Sequence, residues 1–227
     1  MCAAYRPTTN AQWVQTVFGL SLPVAATEAK TEVYPGYSSP VVVKSHRDGR
    51  LAIGSARFGL IPGWAKDASI ARYTYNARSE TADEKPSFRT AWRKRQFALV
   101  LVDAFFEPSY TTGRAVRWQI ESVSQQPLGI ASLWDRWVDP QTGLVVVSFA
   151  MLTVNAQAHP VMRQFHKPED EKRTPIVLQA SSFEAWLSAD GDSAKRLLRL
   201  QSMPPLAATP AIPTTPATVT TPVSSGE

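Results

Sequence analysis

The chain has 227 residues, and 24 Lys and Arg against 19 Asp and Glu leave a formal net charge of +5. Its hydrophobic content of 44% excludes a wholly disordered chain, and its single cysteine excludes an internal disulfide and a cysteine-rich zinc site. No window approaches the roughly 18 uninterrupted apolar residues of a membrane-spanning helix, and the N-terminus lacks the apolar core of a signal peptide. We therefore expect a cytoplasmic protein without membrane association, whose positive charge is compatible with a polyanionic partner.

Hydrophobic periodicity predicts a body of mixed helices and strands. Helical spacing covers residues 10–18, 87–95 with Ser87 as the cap, 157–165, a helix that starts at Ser181 with a capping box to Glu184, and 192–200. Runs of β-branched and aromatic residues predict strands over 40–44, 51–60, 97–102, 116–122, 129–138 and 144–154. Because most of these strands follow one another without helical crossovers, we predict an α+β fold. Its core would be a mainly antiparallel, barrel-like sheet with flanking helices.

The composition changes near the C-terminus. From Pro204 to Glu227, Pro and Thr alternate with Ala and Val, and Glu227 is the only charged residue. Such a segment buries too little apolar surface to offset the entropy lost on ordering. We therefore predict one catalytic domain over residues 1–203 and a disordered, Pro/Thr-rich tail over residues 204–227.

Cys2 is the most informative single residue. Removal of Met1 would expose an α-amine on a residue that also carries a thiol, and the two groups have ordinary pKa values of about 7.7–8.0 and about 8.5. The amine of such a 1,2-aminothiol condenses with an aldehyde to a Schiff base. The thiol can then close on the same carbon to give a five-membered thiazolidine. The alternative is a small, partly buried hydrophobic residue without chemistry.

Polar groups beside aromatic residues mark two further segments. Trp64, in a Pro-Gly-Trp turn, is either a core residue or a platform on which a nucleobase stacks. Asn76 offers a hydrogen-bond donor and an acceptor, and Arg78 offers a planar fork suited to phosphate. Aromatic residues among basic ones, such as Tyr75 and Trp92, can also stack on unpaired bases.

The second half of the chain offers groups for proton transfer. Glu107 ends a strand among aromatic residues, a position that suits a general acid, although it can equally be a surface carboxylate. His159 and His166 precede a Pro-Ile-Val-Leu strand, and a histidine beside a nucleophile can shuttle protons. The charged run 167–175 is typical of a solvated loop. The three histidines and one cysteine show no metal-ligand spacing, so we expect no metal.

The order of these segments resembles the SOS response-associated peptidase (SRAP) family of abasic-site processing proteins. The matching blocks are Met1-Cys2, the turn at Trp64, Asn-Ala-Arg-Ser-Glu-Thr over 76–81, Asp-Ala-Phe-Phe-Glu-Pro over 103–108, and a histidine before Pro-Ile-Val-Leu over 175–178. The resemblance runs from Cys2 to about Leu187. The 76–81 and 103–108 blocks in this order are its specific part.

The resemblance implies roles for four residues of a catalytic site. After Met1 is removed by a peptidase activity, Cys2 would capture the ring-opened aldehyde of an abasic site in single-stranded DNA as a thiazolidine crosslink. Asn76 would hold the backbone of Cys2 and the lesion. Glu107 would help to open the sugar and shuttle protons during Schiff-base formation, and His166 would assist at the sugar hydroxyl and in reversal of the adduct. Some family members have a compact His-x-Arg-x-Pro motif that would identify the histidine, and this sequence lacks it. His166 is preferred to His159 because it stands directly before the charged run.

The resemblance also implies contacts to DNA and a cellular setting. Arg78 would grip a flanking phosphate and Trp64 would wedge against bases, while Arg6 and Trp92 are further predicted DNA contacts. Arg6 would replace the early arginine of the family's frequent Met-Cys-Gly-Arg opening. The expected protein is a monomeric SOS-response repair enzyme, associated with the nucleoid on damaged DNA and free of cofactors. The alternatives are a thiol peptidase acting on proteins and a non-covalent binder of single-stranded DNA.

Overall fold

The computed structural model describes residues 2–23 and 31–211. In these ranges the chain forms eleven strands: β1 (Tyr5–Pro7), β2 (Ser38–Lys44), β3 (Leu51–Phe58), β4 (Asn76–Arg78), β5 (Phe97–Ser109), β6 (Val116–Ser122), β7 (Leu128–Val138), β8 (Val145–Asn155), β9 (Arg173–Pro175), β10 (Val177–Leu178) and β11 (Leu206–Pro210). The α-helices of the same ranges are α1 (Ala11–Phe18), α2 (Arg89–Arg93), α3 (Phe183–Leu187) and α4 (Gly191–Leu197). Short 3₁₀ helices span Ala68–Tyr73, Met162–Gln164, Ala180–Ser182 and Leu200–Ser202. None of the described helices is long and apolar enough to cross a membrane.

Five strands close into a barrel. β5 pairs with β7, β7 with β8, β8 with β3, β3 with β2, and β2 returns to β5. The β3–β8 pairing is parallel and the other four pairings of the ring are antiparallel. The predicted α+β fold with a mainly antiparallel barrel is therefore confirmed. Each of the six predicted strands is present, five of them with ends shifted by at most two residues and the strand from Phe97 with a longer extension.

β5 is the long strand that connects the core to the end of the barrel. Its alternate side chains face opposite sides, as strand geometry requires. Phe97 and Leu99 pack into a cluster shared with the helices, whereas Ala98 and Val100 pack inside the barrel. The strand was predicted to end at residue 102, but it continues to Ser109 because β1 and β6 pair with its second half. This extension carries Glu107 to the end of the barrel where the N-terminus enters.

The predicted helix over 157–165 is wrong. Only Met162–Gln164 form a 3₁₀ turn, and the side chain of His159 accepts hydrogen bonds from the amides of Val161 and Met162 at its start.

Two predicted helix caps are also wrong. α2 begins at Arg89, after Phe88, and α3 begins at Phe183, and neither has a side-chain cap. α4 is capped instead by Asp190, which exchanges hydrogen bonds with Ser193 in a capping box.

The C-terminal segment enters the sheet earlier than predicted. β11 pairs antiparallel with the edge strand β6, with Leu206 opposite Ser122 and Pro210 opposite Trp118. Leu206 is buried, so this part of the proline-rich segment does bury apolar surface. The predicted start of a disordered tail at residue 204 is therefore wrong. The rest of that prediction, over 212–227, lies outside the described residues.

Candidate active site

Cys2 lies at one end of the barrel, in the extended segment that leads into β1. Tyr5 of β1 is opposite Phe105 of β5, and the Phe106 amide donates to the Ala4 carbonyl at 3.0 Å. The Cys2 side chain is fully buried in the cluster inside the barrel, and its Sγ donates to the Ala4 carbonyl at 3.5 Å. Burial and the charge of Glu107 both raise the pKa of the Cys2 thiol, so the sulfur is protonated at neutral pH.

Asn76 holds the backbone of Cys2 from the neighbouring strand. It is the first residue of β4, which pairs in parallel with β8 through Met151. Its side-chain Nδ2 donates to the Cys2 carbonyl at 2.7 Å. Its buried Oδ1 accepts no hydrogen bond from any residue of 2–23 or 31–211. Asn76 therefore fixes the position of Cys2 and keeps one buried acceptor for a further donor.

Glu107 and His166 form a buried pair at the same end of the barrel. His166 Nε2 lies 2.8 Å from Glu107 Oε2, a contact that is an ion pair when the imidazole is protonated. The His166 amide donates to the Pro108 carbonyl at 2.9 Å, and its φ of 65° lies in the left-handed region. This backbone turn directs the imidazole to the strand that carries Glu107. A hydrogen-bonded carboxylate and imidazole can pass a proton between them and a substrate.

Electrostatic interactions connect Cys2 with the Glu107–His166 pair. Glu107 is close enough to Cys2 to raise the pKa of its thiol. Burial, Cys2 and Glu107 together raise the pKa of Tyr75, which packs edge-on against Phe58 at 5.8 Å. Tyr75 therefore lies at the wall of the site, a position that its sequence context, an aromatic residue among basic ones, did not indicate.

His159 lies elsewhere and has a different role. Its Nδ1 accepts hydrogen bonds from the amides of Val161 and Met162, both at 3.1 Å. Burial lowers its pKa, which favours the neutral imidazole that these bonds require. His166, and not His159, is the histidine that reaches Glu107.

Three of the four predicted DNA contacts, Trp64, Arg6 and Trp92, have different surroundings. Trp64 is 56% exposed, and its Nε1 donates to the Pro86 carbonyl at 3.1 Å. Arg6 donates to Gln119 Oε1 at 3.0 Å. Trp92 is only 4% exposed. It packs edge-on against Phe97 in the core because α2 turns its apolar side inward. A buried ring offers no face to a base, so the predicted DNA contact at Trp92 is wrong.

Arg78 belongs to an ionic network that the sequence did not indicate. Its Nη2 lies 2.8 Å from Glu171 Oε2, and Arg173 contacts Glu171 Oε1 and Glu80 Oε2, each at 2.7 Å. Arg173 is buried, so the interpretation of residues 167–175 as a solvated loop is wrong at this position. One residue in the sequence could have indicated a buried arginine. Glu80, in the 76–81 block, supplies the counter-charge that Arg173 needs.

No group of three or more His, Cys, Asp or Glu side chains within the described ranges is arranged to hold a metal ion. The candidate site itself is built from one thiol, one amide and one carboxylate–imidazole pair. Such a set supports nucleophilic chemistry with proton transfer.

The fold is shared with solved bacterial structures. A protein from Bordetella bronchiseptica is 28% identical and superposes with a TM-score of 0.81, covering 93% of this chain and 100% of that one. A protein from Bacteroides thetaiotaomicron is 21% identical with a TM-score of 0.75, covering 93% of each chain. The fold of this chain is therefore one that solved structures already show.

The family follows from the sequence. The model of the SOS response associated peptidase (SRAP) family matches residues 1–221, so the chain belongs to the SRAP family. The Bacillus subtilis abasic site processing protein YoqW is 26% identical over 182 residues, 78% of this chain and 76% of that protein. The Xenopus tropicalis abasic site processing protein HMCES is 24% identical over 203 residues, 73% of this chain and 56% of that protein.

Proposed function

We propose that this protein is a DNA-repair enzyme that senses abasic sites in single-stranded DNA and crosslinks to them through Cys2. The names of its relatives YoqW and HMCES support abasic-site processing. The covalent mechanism is carried by one observation, the contact of Asn76 with Cys2 beside the buried pair of Glu107 and His166. These groups supply a nucleophile, a clamp for its backbone and a proton relay.

The first step is release of the α-amine of Cys2. In the sequence as it stands, the nitrogen of Cys2 belongs to the peptide bond with Met1 and is not nucleophilic. Hydrolysis of that bond consumes one water and releases methionine, and this accounts for a peptidase activity directed at the chain's own first residue. The resulting amine has an ordinary pKa of about 7.7–8.0 and is partly unprotonated at neutral pH.

The second step is formation of a Schiff base with the ring-opened sugar. The amine of Cys2 adds to the aldehyde carbon, and the carbinolamine loses one water to give a protonated imine. The buried Glu107–His166 pair is placed to give a proton to the departing hydroxyl and to take protons from the amine. The clamp from Asn76 keeps the amine directed at the carbon throughout.

The third step closes the ring. At rest the thiol of Cys2 is protonated, because burial and Glu107 raise its pKa. The positive charge of the iminium, formed on the same residue, lowers that pKa through a short-range Coulomb interaction. Glu107 or His166 takes the proton, sulfur adds to the imine carbon, and a thiazolidine results. The overall reaction joins one aldehyde to one aminothiol with loss of one water, and the captured carbon is protected from β-elimination.

Single-stranded DNA fits this chemistry better than duplex DNA. An unpaired strand presents the lesion without the energetic cost of flipping a nucleotide out of a duplex. The exposed ring of Trp64 offers a surface for a neighbouring base. A peptidase that cleaves other proteins would need a thiolate at rest, which the raised pKa of Cys2 does not supply.

The test is a denaturing gel of purified protein mixed with a single-stranded oligonucleotide that carries one abasic site. We expect a heat-stable shifted band with the wild type and no band with Cys2→Ala. Cys2→Ser is the matched control. Both variants keep the α-amine and lose only the thiol, so each should give a band only when a borohydride traps the Schiff base. Equal bands from wild type and Cys2→Ala would exclude the proposal.

A further inference from the structure

Arg78, the predicted phosphate contact, already has an anionic partner. Its Nη2 lies 2.8 Å from Glu171 Oε2, and both side chains are partly exposed at the surface. A guanidinium binds carboxylate and phosphate oxygens with the same N–H groups. A phosphate that approaches Arg78 therefore meets a carboxylate in the position it would itself occupy.

Glu171 is held in place through its other carboxylate oxygen. Its Oε1 accepts hydrogen bonds from Arg173 Nη1 at 2.7 Å and from Asn155 Nδ2 at 3.2 Å. Arg173 is itself buried and donates to the hydroxyl and carbonyl of Thr153 and to Glu80. The hydrogen bond from Arg173 leads the interactions that lower the pKa of Glu171, so the carboxylate is charged at neutral pH. It cannot turn away from Arg78 without breaking charge-assisted hydrogen bonds.

The loop that carries Glu171 is also tied to the active site. It begins at His166, and Lys172 donates to the carbonyls of His166 and Lys167, which closes the loop on itself. A large displacement of this loop would move the imidazole that contacts Glu107. Arg78 is the more exposed partner of the ion pair and is therefore the side chain that can turn toward DNA.

Arg78 is close to the reacting residues. Asn76 and Arg78 are alternate residues of β4, so their side chains share one face and their Cα atoms are separated by about 6.6 Å of strand. Asn76 binds Cys2, and a nucleotide captured at Cys2 brings its flanking phosphate to this face.

We propose that Glu171 is a specificity-determining residue that competes with the DNA backbone for Arg78. The competition weakens capture of every single strand before the covalent step. Undamaged DNA is therefore released, whereas an abasic site is retained by its bond to Cys2. Glu171 acts through Arg78 and takes no part in the chemistry. The inference rests on the proposed function, since it takes Arg78 as a phosphate contact and the bond to Cys2 as what retains an abasic site.

The experiment measures binding of a single-stranded oligonucleotide with a tetrahydrofuran in place of one nucleotide, which has no aldehyde and cannot crosslink. Fluorescence anisotropy gives Kd over a series of salt concentrations. The variants are Glu171→Gln, Arg78→Gln and their combination. Glutamine keeps an oxygen for Arg173 and Asn155 but presents an N–H group to Arg78, so the ion pair is lost while the anchor remains. Glu169→Gln is the matched control, because Glu169 is exposed in the same loop and forms no ion pair with the described residues.

We expect Glu171→Gln to lower Kd by about two- to fivefold, the range of an exposed ion pair. The plot of log affinity against log salt should steepen by up to about 0.7, the contribution of one phosphate in a single strand. Both changes should vanish in the Arg78→Gln background, whereas the effect of Glu169→Gln should be the same in both backgrounds.

Two results would overturn the inference. One is a Glu171→Gln effect no larger than that of Glu169→Gln, and the other is an effect that persists without Arg78. If the wild type crosslinks abasic DNA while either result is found, only the role of Glu171 is wrong. If neither the wild type nor Glu171→Gln binds the oligonucleotide and no crosslink forms, the proposed function fails as well.

Discussion

His159 and His166 lie seven residues apart in one segment, and the structure uses them in opposite ways. The ring of His159 accepts two backbone hydrogen bonds and stabilises a turn. The backbone of His166 has a left-handed conformation, and its ring contacts the carboxylate of Glu107. The residue type is the same, so the difference comes from the partner that the backbone brings within reach. One histidine is available for proton transfer, and the other holds its Nδ1 as an acceptor.

The largest expected difference between the two histidines is in the effect of their substitution on the rate of crosslinking. His166→Gln keeps a hydrogen-bonding group near Glu107 but cannot exchange a proton, so the rate should fall on the order of 100-fold. His159→Asn should leave the rate near that of the wild type. Initial rates from a gel time course with abasic single-stranded DNA test both variants. Equal losses in the two variants would contradict the assignment of His166 to proton transfer.

The free energy of unfolding should depend on His159, although the crosslinking rate does not. His159→Ala leaves the amides of Val161 and Met162 without their acceptor, and the free energy of unfolding should fall by about 1 to 2 kcal/mol. His159→Asn offers Oδ1 in place of Nδ1 and should recover most of the loss. Urea denaturation followed by circular dichroism measures both values. A loss that asparagine does not recover would show that ring packing, not capping, is the contribution of His159.

The smallest effect concerns pH. The pKa of His159 in the folded protein lies below its ordinary value of about 6.5, because burial disfavours the charged ring. The unfolded chain therefore binds more protons below about pH 6.5. The stability contributed by the neutral ring is fully present above that pH and is lost as the pH falls toward the folded pKa.

Urea denaturation of wild type and His159→Asn from pH 7.5 to pH 5 isolates this contribution. The difference in stability between them should shift in favour of the variant as the pH falls. Curves that stay parallel over the whole range would mean that His159 does not titrate differently in the folded and unfolded chain.

The barrel could be predicted from the sequence because its strands carry their own signal. Runs such as Val145–Asn155 are long, β-branched and bounded by turn residues. The strands Tyr5–Pro7 and Leu206–Pro210 were not predicted, since short segments with proline have little periodicity. They become strands only because Phe97–Ser109 and Val116–Ser122 offer unpaired edges.

The four residues nominated for the candidate site lie close together in the structure, but the sequence did not predict their geometry. Cys2, Asn76, Glu107 and His166 come from separate parts of the chain, and only the order of motifs linked them in the sequence. Spacing could not choose between two histidines or show that Trp92 faces the core. Burial depends on which face of an element packs inward, and a short helix such as Arg89–Arg93 gives too few turns to show it.

The central claim is that both the nitrogen and the sulfur of Cys2 bind one carbon of the lesion. Cys2 is the only cysteine, so a thiol count of the purified crosslink reads the sulfur directly, and the intact mass reads the nitrogen. We predict no titratable thiol in the unfolded crosslink. Its mass should equal the chain without Met1 plus the DNA minus one water. A crosslink of that mass with one reactive thiol, or one that retains Met1, would contradict the thiazolidine at Cys2.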